Sequence, residues 1–136
     1  MIVNHRSQDE LLELLRQNKI PLGKGIGVNL DNHLRFKEGT FNIILGHANV
    51  GKTYWLLWYL LTLSTKYNLK HLIYSSENTV FGIKRNLIEL SAKKRVKDMS
   101  KDELNNHKNF VEYHFDFIDA QKAWTIDEFM REVQQL

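Results

Sequence analysis

Residues 46–53, Gly46-His47-Ala48-Asn49-Val50-Gly51-Lys52-Thr53, constrain this chain more than any other stretch. They fit G-x-x-x-x-G-K-[ST], the pattern of a loop that wraps a phosphate between a strand and a helix. The two glycines are read as positions whose backbone angles are closed to other residues, so that successive N–H groups can point inward at an anion. Lys52 is placed to reach the outer phosphates as a point charge, and the Thr53 hydroxyl to ligate Mg²⁺. The N-terminal N–H groups of the following helix complete the cradle. A chance match in a chain this short has a probability of about 0.5%. Local context fits as well: Phe41–Leu45 is a short apolar run that predicts a strand, and 54–67 is Leu-rich without Gly or Pro. The nucleotide-contacting set expected from the motif is Gly46, His47, Ala48, Asn49, Val50, Gly51, Lys52, Thr53 and the adjoining Tyr54.

The chain has 136 residues, 43% of them hydrophobic, with one Pro, seven Gly and a net charge of +3. That describes one globular domain with a real core rather than a disordered chain, and the mild charge does not by itself argue for nucleic acid. No cysteine is present, which rules out disulfides and thiolate metal sites. No secretory signal pattern opens the sequence, and the most apolar run, 55–63, is about half a bilayer span. A cytoplasmic location is expected, with no membrane partner.

In chain order, Ser7-Gln8-Asp9-Glu10 reads as a capping box, and Leu11, Leu12, Leu14 and Leu15 as one face of a helix ending near Asn18. The Pro- and Gly-rich 21–27 then reads as a flexible linker, giving an N-terminal arm over 1–27 and a core over 28–136. Alternation on either side of Asp31-Asn32 predicts a small hairpin over 28–36. The helix after the loop carries Trp55, Trp58 and Tyr59 among its leucines, aromatic rings expected to pack in the core. Lys70–Glu77 predicts a second core strand, and Asn78 or Thr79 caps a helix to Lys94. The run Lys93-Lys94-Arg95-Val96-Lys97 suits either a solvated helix end or phosphate contacts with nucleic acid. A polar helix over 100–109 begins at a cap-like Ser100-Lys101-Asp102-Glu103. Alternating Val111, Tyr113, Phe115 and Phe117 predict a half-wet strand near a sheet edge. Thr125-Ile126-Asp127-Glu128 opens a last amphipathic helix running to Leu136. Strands and helices alternate, so the predicted class is α/β with a mainly parallel sheet flanked by helices. Ligands of such sheets sit at the carboxyl ends of the strands, where Glu77 falls as candidate base for an attacking water.

The segments 39–46 (Gly-Thr-Phe-Asn-Ile-Ile-Leu-Gly), the loop, and 72–78 (Leu-Ile-Tyr-Ser-Ser-Glu-Asn) resemble the core of RecA-superfamily P-loop ATPases. The nearest resemblance is to hexameric replicative helicases of the DnaB type, in a phage-like version. It implies ATP and Mg²⁺ as cofactors and Glu77 as the water-activating glutamate. It also implies a homo-hexameric ring acting on single-stranded DNA, in a host cytoplasm if the protein is viral. The family's helix arginine falls on Arg85, and Phe117-Ile118-Asp119 with 125–128 resembles its next strand and helix start. The family's Mg²⁺-holding aspartate follows a longer apolar strand, so Asp119 is a poor match. That strand (Walker B), the arginine finger and the DNA loops are expected beyond Leu136, which would make this the N-terminal part of an ATPase domain. His47, Ala48 and Asn49 depart from the usual helicase loop. Two other tasks therefore stay open: a recombinase or regulatory ATPase, and a nucleotide-binding assembly module without turnover.

Overall fold

The computed structural model describes residues 5–20 and 22–135, with side chains from Gln8 onward. They form two compact units, Met1–Ile43 and Ile44–Leu136.

In the first unit, helix α1 (His5–Arg16) already includes Ser7, so Ser7 is an internal helical residue rather than the predicted cap. The contacts of its hydroxyl lie outside the described residues, as does Pro21 of the predicted linker. Leu11, Leu12, Leu14 and Leu15 are all exposed. The expected hairpin over 28–36 is absent. A single turn of 3₁₀ helix, Asn29–Asn32, takes its place. Asp31 is the cause: its carboxylate accepts the Ile26 and Gly27 N–H groups, each at 2.7 Å. A local side-chain acceptor thereby outcompetes a strand ladder. One antiparallel pair survives, Lys24 with Phe36, through N–H···O bonds of 2.7 and 2.8 Å.

The second unit is α/β. Helix α2 (Lys52–Tyr67) is followed by strand β1 (His71–Tyr74), helices α3 (Val80–Ala92) and α4 (Lys101–His114), strand β2 (Phe115–Ile118) and helix α5 (Ile126–Gln134). β1 and β2 run parallel, His71 opposite Phe115 and Tyr74 opposite Ile118. Among the described residues this two-stranded sheet is the whole sheet. The core lies between it and the helices: Leu57 and Leu61 of α2, Ile83, Leu87 and Ile88 of α3, Val111 of α4 and Phe115 of β2. The side-chain caps expected from sequence form. Thr79 accepts from Gly82 N–H, and complete capping boxes join Ser100 to Glu103 and Thr125 to Glu128. Leu136, the predicted last member of the α5 face, lies outside the described residues.

Three strand predictions need correction. The run Phe41–Leu45 forms no strand; Phe41 and Leu45 are 89% and 88% exposed. The alternation over 111–117 is misleading, because residues 111–114 finish α4 and only Phe115–Ile118 is extended. Leu104, His107, Val111 and His114 recur at intervals of 3, 4 and 3, and all four are buried or half-buried. This helical stripe decides the local structure, and the 2.0 period of Val111, Tyr113 and Phe115 is coincidental. β1 is likewise shorter than predicted and ends at Tyr74, so Glu77 lies in the bend beyond it.

Candidate functional site

Residues 46–51 fold as an exposed turn leading into α2, whose first residue is Lys52. The left-handed conformations fall on Asn49 (φ 59°) and Gly51 (φ 87°), and Gly46 is not among them. Asn49 is a tolerable occupant because its short polar side chain suits that region. The need for Gly46 is spatial instead. A Cβ there would sit 3.3 Å from both the Lys52 Cδ and the Val50 Cγ2. The lysine stem therefore packs over the Gly46 backbone, and its ammonium donates to the carbonyls of Gly46 (2.8 Å) and His47 (2.6 Å). The loop closes on its own lysine. At the start of α2 no side chain accepts from the first free N–H groups, whereas Thr79, Ser100 and Thr125 cap α3, α4 and α5. An exposed loop ending on uncapped helical N–H groups, with a half-buried ammonium across it, is chemically suited to an anion.

Thr53 and Glu77 line one cleft of about 400 Å³, floored by Leu57, Leu60, Ile73 and Ile83. Glu77 also lines a second cleft of about 400 Å³, whose far wall is Asp119 with Ala120 and Gln121. The two acids thus share the carboxyl ends of the two parallel strands, where ligands of such sheets are met. Both are exposed. Asp119 is engaged in its own turn, its Oδ1 accepting Gln121 N–H at 2.9 Å and its carbonyl accepting the Trp124 indole N–H at 2.6 Å. The bend that carries Glu77 is held by Ser75, whose Oγ accepts Asn78 N–H at 3.0 Å. No hydrogen bond or ion pair fixes the Glu77 carboxylate among the described residues.

No group of three or more His, Asp or Glu side chains gathers to hold a metal among the described residues. One hydroxyl, Thr53, and one carboxylate, Glu77, on a shared cleft form an incomplete donor set. Mg²⁺ held chiefly by nucleotide phosphates and water asks for no more than one or two such protein ligands. Among the described residues no helix is long and apolar enough to cross a membrane.

The candidates therefore divide. Lys52, Thr53 and the loop form one exposed mouth, and Glu77 faces the same cleft as Thr53. Tyr54, expected beside the nucleotide, instead opens onto a third and larger cleft with Trp58 and Arg85. That grouping went unseen in the sequence because its members lie on two helices; the i, i+4 spacing of Tyr54 and Trp58 was the available signal. No family model, curated protein or solved structure matches this chain.

Proposed function

We propose that this chain carries the nucleotide-binding part of a RecA-like P-loop ATPase of the DnaB helicase kind, which binds ATP with Mg²⁺ and acts as a homo-hexameric ring on single-stranded DNA. The observation that carries the reading is the Lys52 ammonium folded across the loop onto the Gly46 and His47 carbonyls, at the uncapped start of α2. An incoming polyphosphate would take that ammonium from two neutral carbonyls to its own charged oxygens, the stronger class of hydrogen bond. Residues 46–51 would contribute backbone N–H groups, Thr53 would hold Mg²⁺ together with the phosphates, and Glu77 would orient the attacking water. The bound ion would neutralise charge building up on the phosphates.

A second reading has its own support. A general base must be held within reach of the proton it takes, and Glu77 is exposed with no partner to hold it. A nucleotide-binding assembly module without turnover fits that geometry. The deciding experiment is ATP binding and hydrolysis, with and without single-stranded DNA, for the native chain, Lys52→Ala and Glu77→Gln. DNA-stimulated turnover abolished by Glu77→Gln supports the motor. Binding lost in Lys52→Ala with no turnover in any protein supports the module. Equal ATP binding by the native chain and Lys52→Ala refutes both.

A further inference from the structure

A cleft of about 830 Å³ shares no lining residue with the Thr53–Glu77 cleft and is lined from α2, α3 and the segment after α3. One wall presents Tyr54 and Trp58, one helical turn apart on α2; Tyr54 is 57% exposed. The same cleft is lined by Arg85 and the consecutive Lys93, Lys94 and Arg95.

This basic segment is not a loose helix end. Lys93 turns the chain through a left-handed conformation (φ 54°), its N–H returning to the Glu89 carbonyl. Lys94 N–H reaches the same carbonyl at 3.3 Å, and the Glu89 carboxylate accepts Val96 N–H at 3.0 Å. Glu89, the one acid of the cleft, is thereby committed to holding the cations in place. Lys94 pairs with Glu103 at 3.1 Å. Arg85, Lys93 and Arg95 are exposed and have no carboxylate partner among the described residues. Three cations without a carboxylate partner among the described residues and two aromatic side chains thus line one open groove.

We propose that this cleft is a binding surface for single-stranded DNA, with the phosphates along Arg85, Lys93 and Arg95 and a base stacked against Trp58. Fixed cations beside an aromatic side chain match what a flexible strand offers, a repeating negative charge and a ring face. A rigid duplex keeps its ring faces stacked inside. The proposal deepens the ATPase reading by giving its DNA a surface, and it involves none of the loop residues.

The test measures binding of a fluorescein-labelled 20-mer of thymidine by anisotropy from 0.05 to 0.5 M salt. Three neutralised phosphates predict a log–log slope of about −2, from ~0.7 per phosphate on single strands. The double variant Lys93→Asn, Arg95→Gln places at the left-handed position 93 a residue type that tolerates it and should fold normally. Its slope should fall to about −0.7 and its affinity at 0.1 M salt by roughly 25-fold, about fivefold for each phosphate left unmatched. Unlabelled thymidine 20-mer should quench tryptophan emission in the native chain, and Trp58→Phe should remove most of that quenching while Trp55 and Trp124 remain. Unchanged affinity and slope in the double variant would overturn the proposal. So would duplex binding as tight as single-strand binding, or binding to phosphatidylserine vesicles without binding to the oligonucleotide. A fluorescent ATP analogue titrated into the same proteins separates the two readings. Nucleotide binding without oligonucleotide binding sinks this inference alone, and the reverse sinks the nucleotide site alone.

Discussion

Alanine at each of the two loop glycines should do different damage, because each glycine is needed for a different reason. At Gly51 a Cβ meets nothing within 4 Å, but the backbone sits at φ 87°. The cost is therefore conformational, about 1–2 kcal/mol for a non-glycine residue in that region. For a unit of this size, 1 kcal/mol moves Tm by roughly 4–8 °C. Because the loop is exposed and can partly relax, the lower end applies, and Gly51→Ala should lose about 5 °C. At Gly46 the backbone is ordinary, and the new Cβ meets only the Lys52 stem and a Val50 methyl at 3.3 Å. Both can give by a few tenths of an ångström, and Gly→Ala at a compatible position returns about 0.4–1 kcal/mol through the unfolded chain. The apo Tm of Gly46→Ala should therefore stay within about 1–2 °C of the parent. The Lys52 ammonium, however, is displaced from the place from which it would meet a phosphate. Differential scanning fluorimetry with and without Mg-ATP resolves the two effects. At 100 times Kd a ligand stabilises the parent by about 2.7 kcal/mol. Gly46→Ala should lose most of that gain at unchanged apo Tm, and Gly51→Ala should show its penalty in both conditions. If Gly46→Ala melts as low as Gly51→Ala, or keeps the full ATP response, the packing of Lys52 over Gly46 is not what the loop requires.

Leu87, 0% exposed at the centre of the core cluster, is the residue whose truncation should cost most. Leu87→Ala should lose about 3–4 kcal/mol in urea unfolding, and a loss under about 1 kcal/mol would mean that α3 does not pack here as described. Burial lowers the His71 pKa; the Leu60 carbonyl works against that shift, and electrostatic repulsion from His114 reinforces it. As pH falls below about 6.5, the unfolded chain takes up this proton before the folded one. Stability is then lost progressively until the pH lies below the folded-state pKa. Tm should fall between pH 7.5 and 5.5, less steeply in His71→Phe, and a Tm that rises on acidification contradicts the burial.

The caps read correctly from sequence depend on near neighbours in the chain, although Ser7 proved internal to α1. The boxes at Ser100 and Thr125 and the Thr79 cap are contacts across three residues, fixed by side-chain chemistry, and all three formed. Phe41–Leu45 illustrates the opposite case. A short apolar run is a strand only if another strand offers its edge, and none does so among the described residues. Val111–Phe117 failed for a subtler reason. Its alternation and the helical stripe Leu104–His107–Val111–His114 share Val111, and only burial against α3 chooses between the two periods. Asp31 misled because its carboxylate reaches back to the Ile26 and Gly27 N–H groups, just before what resembled a hairpin. The basic cleft joins residues on α2 to residues some 30 to 40 positions away, beyond the reach of a local pattern.

On the proposed reading, the difference between binding and turnover would come down to one side chain. β1 and β2 are short, but their parallel pairing is enough to bring the bend at Glu77 and the turn at Asp119 to the same end of the sheet. The surrounding structure then treats the two acids differently. Asp119 is tied into its turn by Gln121 and Trp124, so its carboxylate already has a task. Glu77 rests on a bend that Ser75 holds at Asn78, while its own carboxylate is left to solvent. On the proposed reading, a loop suited to an anion and a carboxylate that no residue orients are separable properties. Phosphate binding would draw on the geometry around Lys52, whose ammonium donates to the Gly46 and His47 carbonyls. Water activation would need a further contact that fixes Glu77 over the cleft it shares with Thr53. Any ATPase activity of this chain should therefore respond first to whatever supplies that contact, be it DNA, bound nucleotide or a second subunit.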